Sequence, residues 1–198
     1  MAYTYGRASA QDAQEPPIVK ELQAVFTAVP ADDLLAALIG KTRRGPKGHP
    51  VEVLWRCFLT RYYMGLPSIA SLIRTLDDNP FIARACGIES ADWRPSQPTF
   101  SRFFARLARP KMVVVVKNVM REMVRECYRT LPHFGKVVAI DSTDIKAWSN
   151  KAKKPFTDPD AAWAVKSTSG TLKKFWLGYK AHLMVDAAYE LPVALNVT

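Results

Sequence analysis

Two groups of residues in this chain have types and spacings that could do chemistry. The first is Asp141, the last residue of Lys136–Asp141 (KVVAID), a short β-branched and apolar segment of the kind that forms a buried strand. An ionised carboxylate at the end of such a strand is costly to bury without partners. Phosphoryl-transfer enzymes place acids there to hold a divalent metal, because a strand fixes the ligand rigidly for in-line displacement. One carboxylate does not make a two-metal site, and Asp141 could equally cap the turn with Ser142 and Thr143. Asp144, Asp158 and Asp160 are further acids, in polar sequence that turn formation explains by itself. His182 has no Ser or Cys partner in its surroundings and reads as surface or nucleic-acid-facing.

The second group is basic. Arg102, Arg106 and Arg109 recur at i, i+4, i+7 opposite a stripe of Phe100, Phe103, Phe104 and Leu107, with Thr99 and Ser101 near the start of the same helix. A DNA-recognition helix presents such a face: short polar residues toward bases, arginines toward guanine or phosphate. An amphipathic surface helix would show the same pattern. The segment Lys41–Pro50 (KTRRGPKGHP) reads as an exposed arm whose Arg43, Arg44 and Lys47 suit phosphate contact. Lys117, Arg121, Arg125 and Arg129 form a stripe on the next helix, with Glu122 and Glu126 spaced to pair at its edge.

These residues need elements to position them. After a polar leader (1–16), expected to be disordered, apolar residues at helical spacing predict helices over Ile18–Val29, from Asp32-Asp33 to Gly40, and over Val51–Tyr62. Further helices are predicted at Ser68–Leu76, Phe81–Cys86, Thr99–Leu107 and Lys111–Leu131. The last of these should put Val113, Val116, Met120, Met123, Cys127 and Leu131 toward the core. Ser68–Leu76 is a candidate supporting helix for Thr99–Leu107, although the connection is longer than a simple helix-turn-helix allows. The period then changes. Lys136–Asp141, Gly178–Asp186 and Leu191–Val197 read as three strands, separated by a polar, lysine-rich stretch over 146–174.

Composition narrows the class. The chain has 198 residues, 28 Lys+Arg against 18 Asp+Glu, and a formal net charge of +10. Arg94–Arg129 holds nine basic residues against Glu122 and Glu126, a footprint that suits a polyanion. No apolar stretch approaches the ~20 residues of a membrane span, and the N-terminus lacks the apolar core of a secretory signal. Cys57, Cys86 and Cys127 lack metal or disulfide spacing and read as reduced core thiols. Phosphate-binding Gly-rich loops, HExxH and nucleophile elbows are missing from the sequence.

Taken together, RRGPKGHPVEVLWRCFLTRYYMGLPSIASLIRTLDDNPFIARACGI, PSQPTFSRFFARL, VVAIDSTDIKAWSN, TDPDAAWAVKS and FWLGYKAHLMVDAAYELPVALNVT resemble, in order and spacing, a bacterial insertion-sequence transposase of the DDE type from about Arg43 to Thr198. The resemblance implies an α+β chain: a helical DNA-binding domain over 17–134, then the first three strands of a ribonuclease-H-like catalytic domain over 135–198, arranged as an antiparallel meander. It makes Asp141 the first acid of the catalytic triad and a Mg2+ ligand in intact relatives. It also implies double-stranded DNA as partner, through terminal inverted repeats, and a cytoplasmic, nucleoid-associated location with no membrane role; a homo-oligomer is compatible with it. Family members carry the second Asp and the Glu beyond a third strand, so this chain is expected to be a truncated form, inactive in strand transfer by itself. A non-enzymatic DNA-binding protein or repressor derived from a transposase is the alternative.

Overall fold

A computed structural model describes residues 15–39, 48–147, 149–150, 152, 155–167 and 173–198. The chain divides into two compact units, Met1–Met123 and Val124–Thr198, which meet within one long helix. The leader's first 14 residues and the arm's Arg43, Arg44 and Lys47 lie outside the described residues.

The described part of the first unit is helical: α1 (Pro17–Ala28), α2 (Asp32–Leu38), α3 (Val51–Tyr63), α4 (Ile69–Asp78), α5 (Pro80–Ala85), a 3-10 turn (Ala91–Trp93), α6 (Gln97–Leu107) and the start of α7 (Pro110–Thr130). Local chemistry sets the ends. Pro17, Pro80 and Pro98 stand in first turns, where a missing N–H costs nothing. Asp32 and Asp33 complement the N-terminal dipole of α2. Ser68 and Ser71 form a reciprocal capping box on α4, each side chain accepting from the other's backbone N–H at 3.0 Å. Gly87 ends the α5 region at φ +91°, and a Cβ there would sit 3.2 Å from Val53 Cγ2.

Leu22, Leu34, Leu38, Trp55, Leu72, Leu76, Phe100 and Phe103 are buried in one core, around which α3, α4 and α6 pack on one another. Thr60 is buried with them; its hydroxyl donates to the Arg56 carbonyl (2.8 Å) and lies 3.3 Å from Cys86 Sγ. Cys57 and Cys86 are buried free thiols, and the Cys57 thiol is pushed up by its neighbour Cys86 and by burial.

In α7 the core side differs from the expected one. Met112, Val115 and Val119 face the core and the expected Met120, Cys127 and Leu131 are half-buried, whereas Val113, Val116 and Met123 are exposed. The run Met112–Val116 is apolar on every side of the helix, so the pattern fits more than one stripe; packing selects the one that meets α1–α6.

The second unit is an antiparallel sheet of four described strands rather than the three expected: β1 (Val138–Lys146), β2 (Ala162–Ser167), β3 (Lys173–Asp186) and β4 (Pro192–Val197). β3 is the spine. Gly178 pairs with Lys146 of β1 and with Ala162 of β2, so those strands lie on opposite edges of β3, and β4 follows β2 along its edge. The expected meander of β1, β3 and β4 is present, and β2 extends it as a hairpin with the first half of β3. A Cβ at Gly178 would stand 2.0 Å from the Ile145 carbonyl oxygen, so glycine permits the approach of β1.

β1 departs from expectation in two ways. It runs on to Lys146, because Ser142–Lys146 continue to pair with β3. It is also exposed rather than buried: Ile140 keeps 66% of its surface in solvent. The β-branched pattern favours a strand, but burial also needs a covering layer.

Asp186 is the polar anchor of this unit. Alternation puts it on the polar face of β3, yet it is only 1% exposed. Its carboxylate accepts from the backbone N–H groups of Gly135 (2.7 Å), Ala188 (2.9 Å) and Tyr189 (2.8 Å). These bonds tie the β3–β4 turn to the segment entering β1 and hold the carboxyl below its usual range.

Candidate nucleic-acid interface and the position of Asp141

α6 is fixed from beneath by Phe100 and Phe103, which are buried, and by Phe104 and Leu107, which pack on the same core. Its opposite face carries Ser101 and Arg102 in solvent, with Arg109 exposed just past the helix. Thr99 is half-buried, its hydroxyl 3.1 Å from Ser96 Oγ and accepting from Arg102 at 3.2 Å. The Ser101 hydroxyl donates back to the Gln97 carbonyl at 3.1 Å.

Arg106 is placed differently from Arg102. It is half-buried and donates to the Leu38 carbonyl at the C-terminal end of α2. A cation there satisfies a carbonyl that has no partner within its helix and complements the dipole of α2. The site lies beside an open cavity of about 310 Å3 lined by Ile39, His49, Val51 and Glu52. His49 packs against Trp93 at a tilt, with ring centroids 4.7 Å apart, and burial lowers its pKa. Of the three arginines read as one face, Arg102 and Arg109 are exposed while Arg106 joins α6 to α2.

The α7 stripe is exposed at Lys117, Arg121, Arg125 and Arg129. Arg121 donates to Asn118 at 3.0 Å and Arg129 to Glu126 at 2.7 Å, an i, i+3 pair as spaced in the sequence.

In the second unit Asp141 lies in β1 opposite Leu183 of β3, which in turn faces Leu195 of β4. Its neighbours by alternation are Ala139, Thr143 and Ile145, so a carboxylate interrupts an apolar sheet face. It is exposed and accepts from the N–H of Ser142 at 2.7 Å. Asp144 falls on the opposite face, in register with Lys180. Asp158 accepts from the Tyr179 hydroxyl at 2.5 Å, which pushes the phenol up to about 12. His182 is half-buried, with Nε2 3.3 Å from Thr198 Oγ1. Among the described residues no three His, Cys, Asp or Glu side chains come together to hold a metal ion. The acids described do not make a Mg2+ site.

Sequence reading misses the β2–β3 hairpin. The signal was present in Trp163 and Val165 on one strand and Phe175 and Leu177 on the other, an alternation masked by the surrounding lysines.

Residues 9–106 match the family model of a transposase domain, DUF772. That span takes in α1 to α5 and α6 as far as Arg106, and it supports a transposase-related function. No curated protein and no solved structure matches the chain. No described helix is long and apolar enough to cross a membrane.

Proposed function

We propose that the chain is the DNA-binding portion of a DDE-type insertion-sequence transposase, and that α6 contacts the terminal inverted repeats of its element. The observation that carries this reading is the two-sidedness of α6: a phenylalanine stripe buried in the core and a solvent face with Ser101, Arg102 and Arg109. A helix held rigidly from beneath can present such a face to a groove, with Arg102 toward a base edge and Arg109, Lys117 and Arg121 of the same unit toward phosphate. The transposase-domain match supports it from an independent direction. Within the same proposal, the meander of β1, β3 and β4 is the opening of a ribonuclease-H-like fold, Asp141 is its first acid, and Mg2+ is the cofactor of the intact family. Strand transfer is not assigned to the residues described.

The test is a fluorescence-anisotropy titration of the full chain with a duplex carrying the element's end, against a scrambled duplex, at several salt concentrations. Affinity is expected to fall with salt at about 0.9 log unit per log unit for each phosphate neutralised. Arg102→Ala should cost ~1–3 kcal/mol on the specific duplex if it reads a base, and less on the scrambled one. Binding that ignores salt, or an Arg102→Ala chain that binds both duplexes like wild type, overturns the reading.

A further inference from the structure

We propose that Cys57 and Cys86 are a reversible oxidation site, a thiol pair that hydrogen peroxide converts into a disulfide joining α3 to the end of α5. The site lies wholly within the first unit and does not depend on the DNA-binding reading. Val53, Cys57 and Thr60 recur at i, i+4, i+7 on one side of α3, and the segment Cys86–Gly87 runs along that side. A Cβ at Gly87 would sit 3.2 Å from Val53 Cγ2 at one end, and Cys86 Sγ lies 3.3 Å from Thr60 Oγ1 at the other. Cys57 stands on α3 between these two contacts, and its thiol hydrogen-bonds that of Cys86. Both residues are wholly buried and both are free thiols.

The surroundings distinguish the two sulfurs. The bond between them pushes the Cys57 thiol up and Cys86 down, and the Arg56 guanidinium favours the Cys86 thiolate further. Arg56 Nη1 stands 3.9 Å from the position of a Gly87 Cβ, beside the Cys86 backbone. Cys86 is therefore the nucleophile and Cys57 the resolving thiol. Arg56 and Gly87 are half-buried, so solvent reaches the residues that flank Cys86, and a small neutral oxidant needs only a local opening there. The Cys86 thiolate attacks one peroxide oxygen, the O–O bond breaks, and the departing hydroxide takes up the thiol proton as water, leaving a sulfenic acid. The Cys57 sulfur then attacks Cys86 Sγ; the S–S bond forms, the S–O bond breaks, and hydroxide leaves with the Cys57 proton as a second water. Two thiols lose two electrons in all, and one peroxide is reduced to two waters. The bond closes the 30-residue segment from Cys57 to Cys86, which contains α4 and α5.

The experiment treats the folded full-length chain with hydrogen peroxide at neutral pH, alkylates it in denaturant and maps its tryptic peptides by mass. The peptides carrying Cys57 and Cys86 should appear joined and two hydrogens lighter, with Cys127 outside the bond, and dithiothreitol should restore both thiols. Cys127→Ser should give the same bond. Cys57→Ala should stop at the Cys86 sulfenic acid, which dimedone traps; if that variant does not fold, the wild-type map decides. The oxidised chain should melt several degrees higher than the reduced one, because the closed segment restricts the unfolded chain. Peroxide that leaves Cys57 and Cys86 as thiols while Cys127 reacts overturns the proposal and makes the pair core packing alone. Bonds that run to Cys127 or between chains overturn it as well. An oxidised chain that melts lower shows a bond made only by distorting the core, and the proposal fails with it.

Discussion

Arg102 and Arg106 stand one helical turn apart, yet their replacement by alanine should give opposite phenotypes. Arg106 donates to the Leu38 carbonyl at the end of α2 and is half-buried. A hydrogen bond from a charged donor contributes ~1.5–3 kcal/mol, and removing it also leaves an acceptor in partly excluded space. The favourable interaction with the α2 dipole, ~0.3–1 kcal/mol, overlaps this and is not added in full. Because the cavity beside it admits water, the lower end applies, and Arg106→Ala should destabilise the helical unit by about 1.5 kcal/mol. For a unit of about 100 residues that corresponds to a Tm lowered by roughly 6–12 °C in a far-UV circular dichroism melt. Arg102 is exposed and donates to Thr99, so Arg102→Ala should change stability by less than ~0.5 kcal/mol while weakening DNA binding. DNA binding by folded Arg106→Ala should be close to wild type. An unchanged Tm for Arg106→Ala, together with a DNA-binding loss equal to that of Arg102→Ala, would refute the capping role and return Arg106 to the DNA face.

Gly178→Ala should unfold or expand the sheet, because its Cβ would meet the Ile145 carbonyl oxygen at 2.0 Å with both edges of β3 already paired; amide exchange across β1 should accelerate while that of α3 and α6 does not change. The Asp186 carboxyl is held below its usual range by three backbone N–H groups, so its contribution is present above the unfolded pKa of about 3.9 and lost as pH falls through the lower folded value. Asp186→Asn should therefore lower sheet stability at neutral pH and flatten its acid dependence below about pH 4, as read from the amide exchange of β1 and β4. Asp141→Ala should leave both the melt and duplex affinity unaltered, since its described contact is the N–H of Ser142; a loss of duplex affinity would show that the sheet face contributes to binding.

The sequence was most informative where one local rule decided the outcome. The Phe stripe of α6 and the apolar residues of β4 each correspond to an element observed within a few residues of its expected bounds, while β3, expected from Gly178, begins earlier at Lys173. It was least informative where the outcome depended on a distant partner. Periodicity places Arg102 and Arg106 on neighbouring angles of one helix, but only the position of α2 makes Arg106 a cap. The apolar run in α7 allowed several stripes, and contact with α1–α6 chose Met112, Val115 and Val119. The β2 strand is hidden because lysines dominate the composition of 146–174, while strand formation depends on the few positions that pair. Asp186 is the converse case: alternation identified its face correctly but not its burial, which comes from N–H groups contributed by a turn and by residue 135.

One face of the sheet unit carries both the exposed side chains of the hairpin and Asp141. β3 carries Phe175, Leu177, Tyr179, Ala181 and Leu183 at alternate positions, so one face runs continuously from the hairpin to the row that contains Asp141. Tyr179 lies midway, and its hydroxyl donates to Asp158. Apolar side chains on this face stay exposed at both ends, at Phe175 and at Leu183, whose register partner on β1 is Asp141.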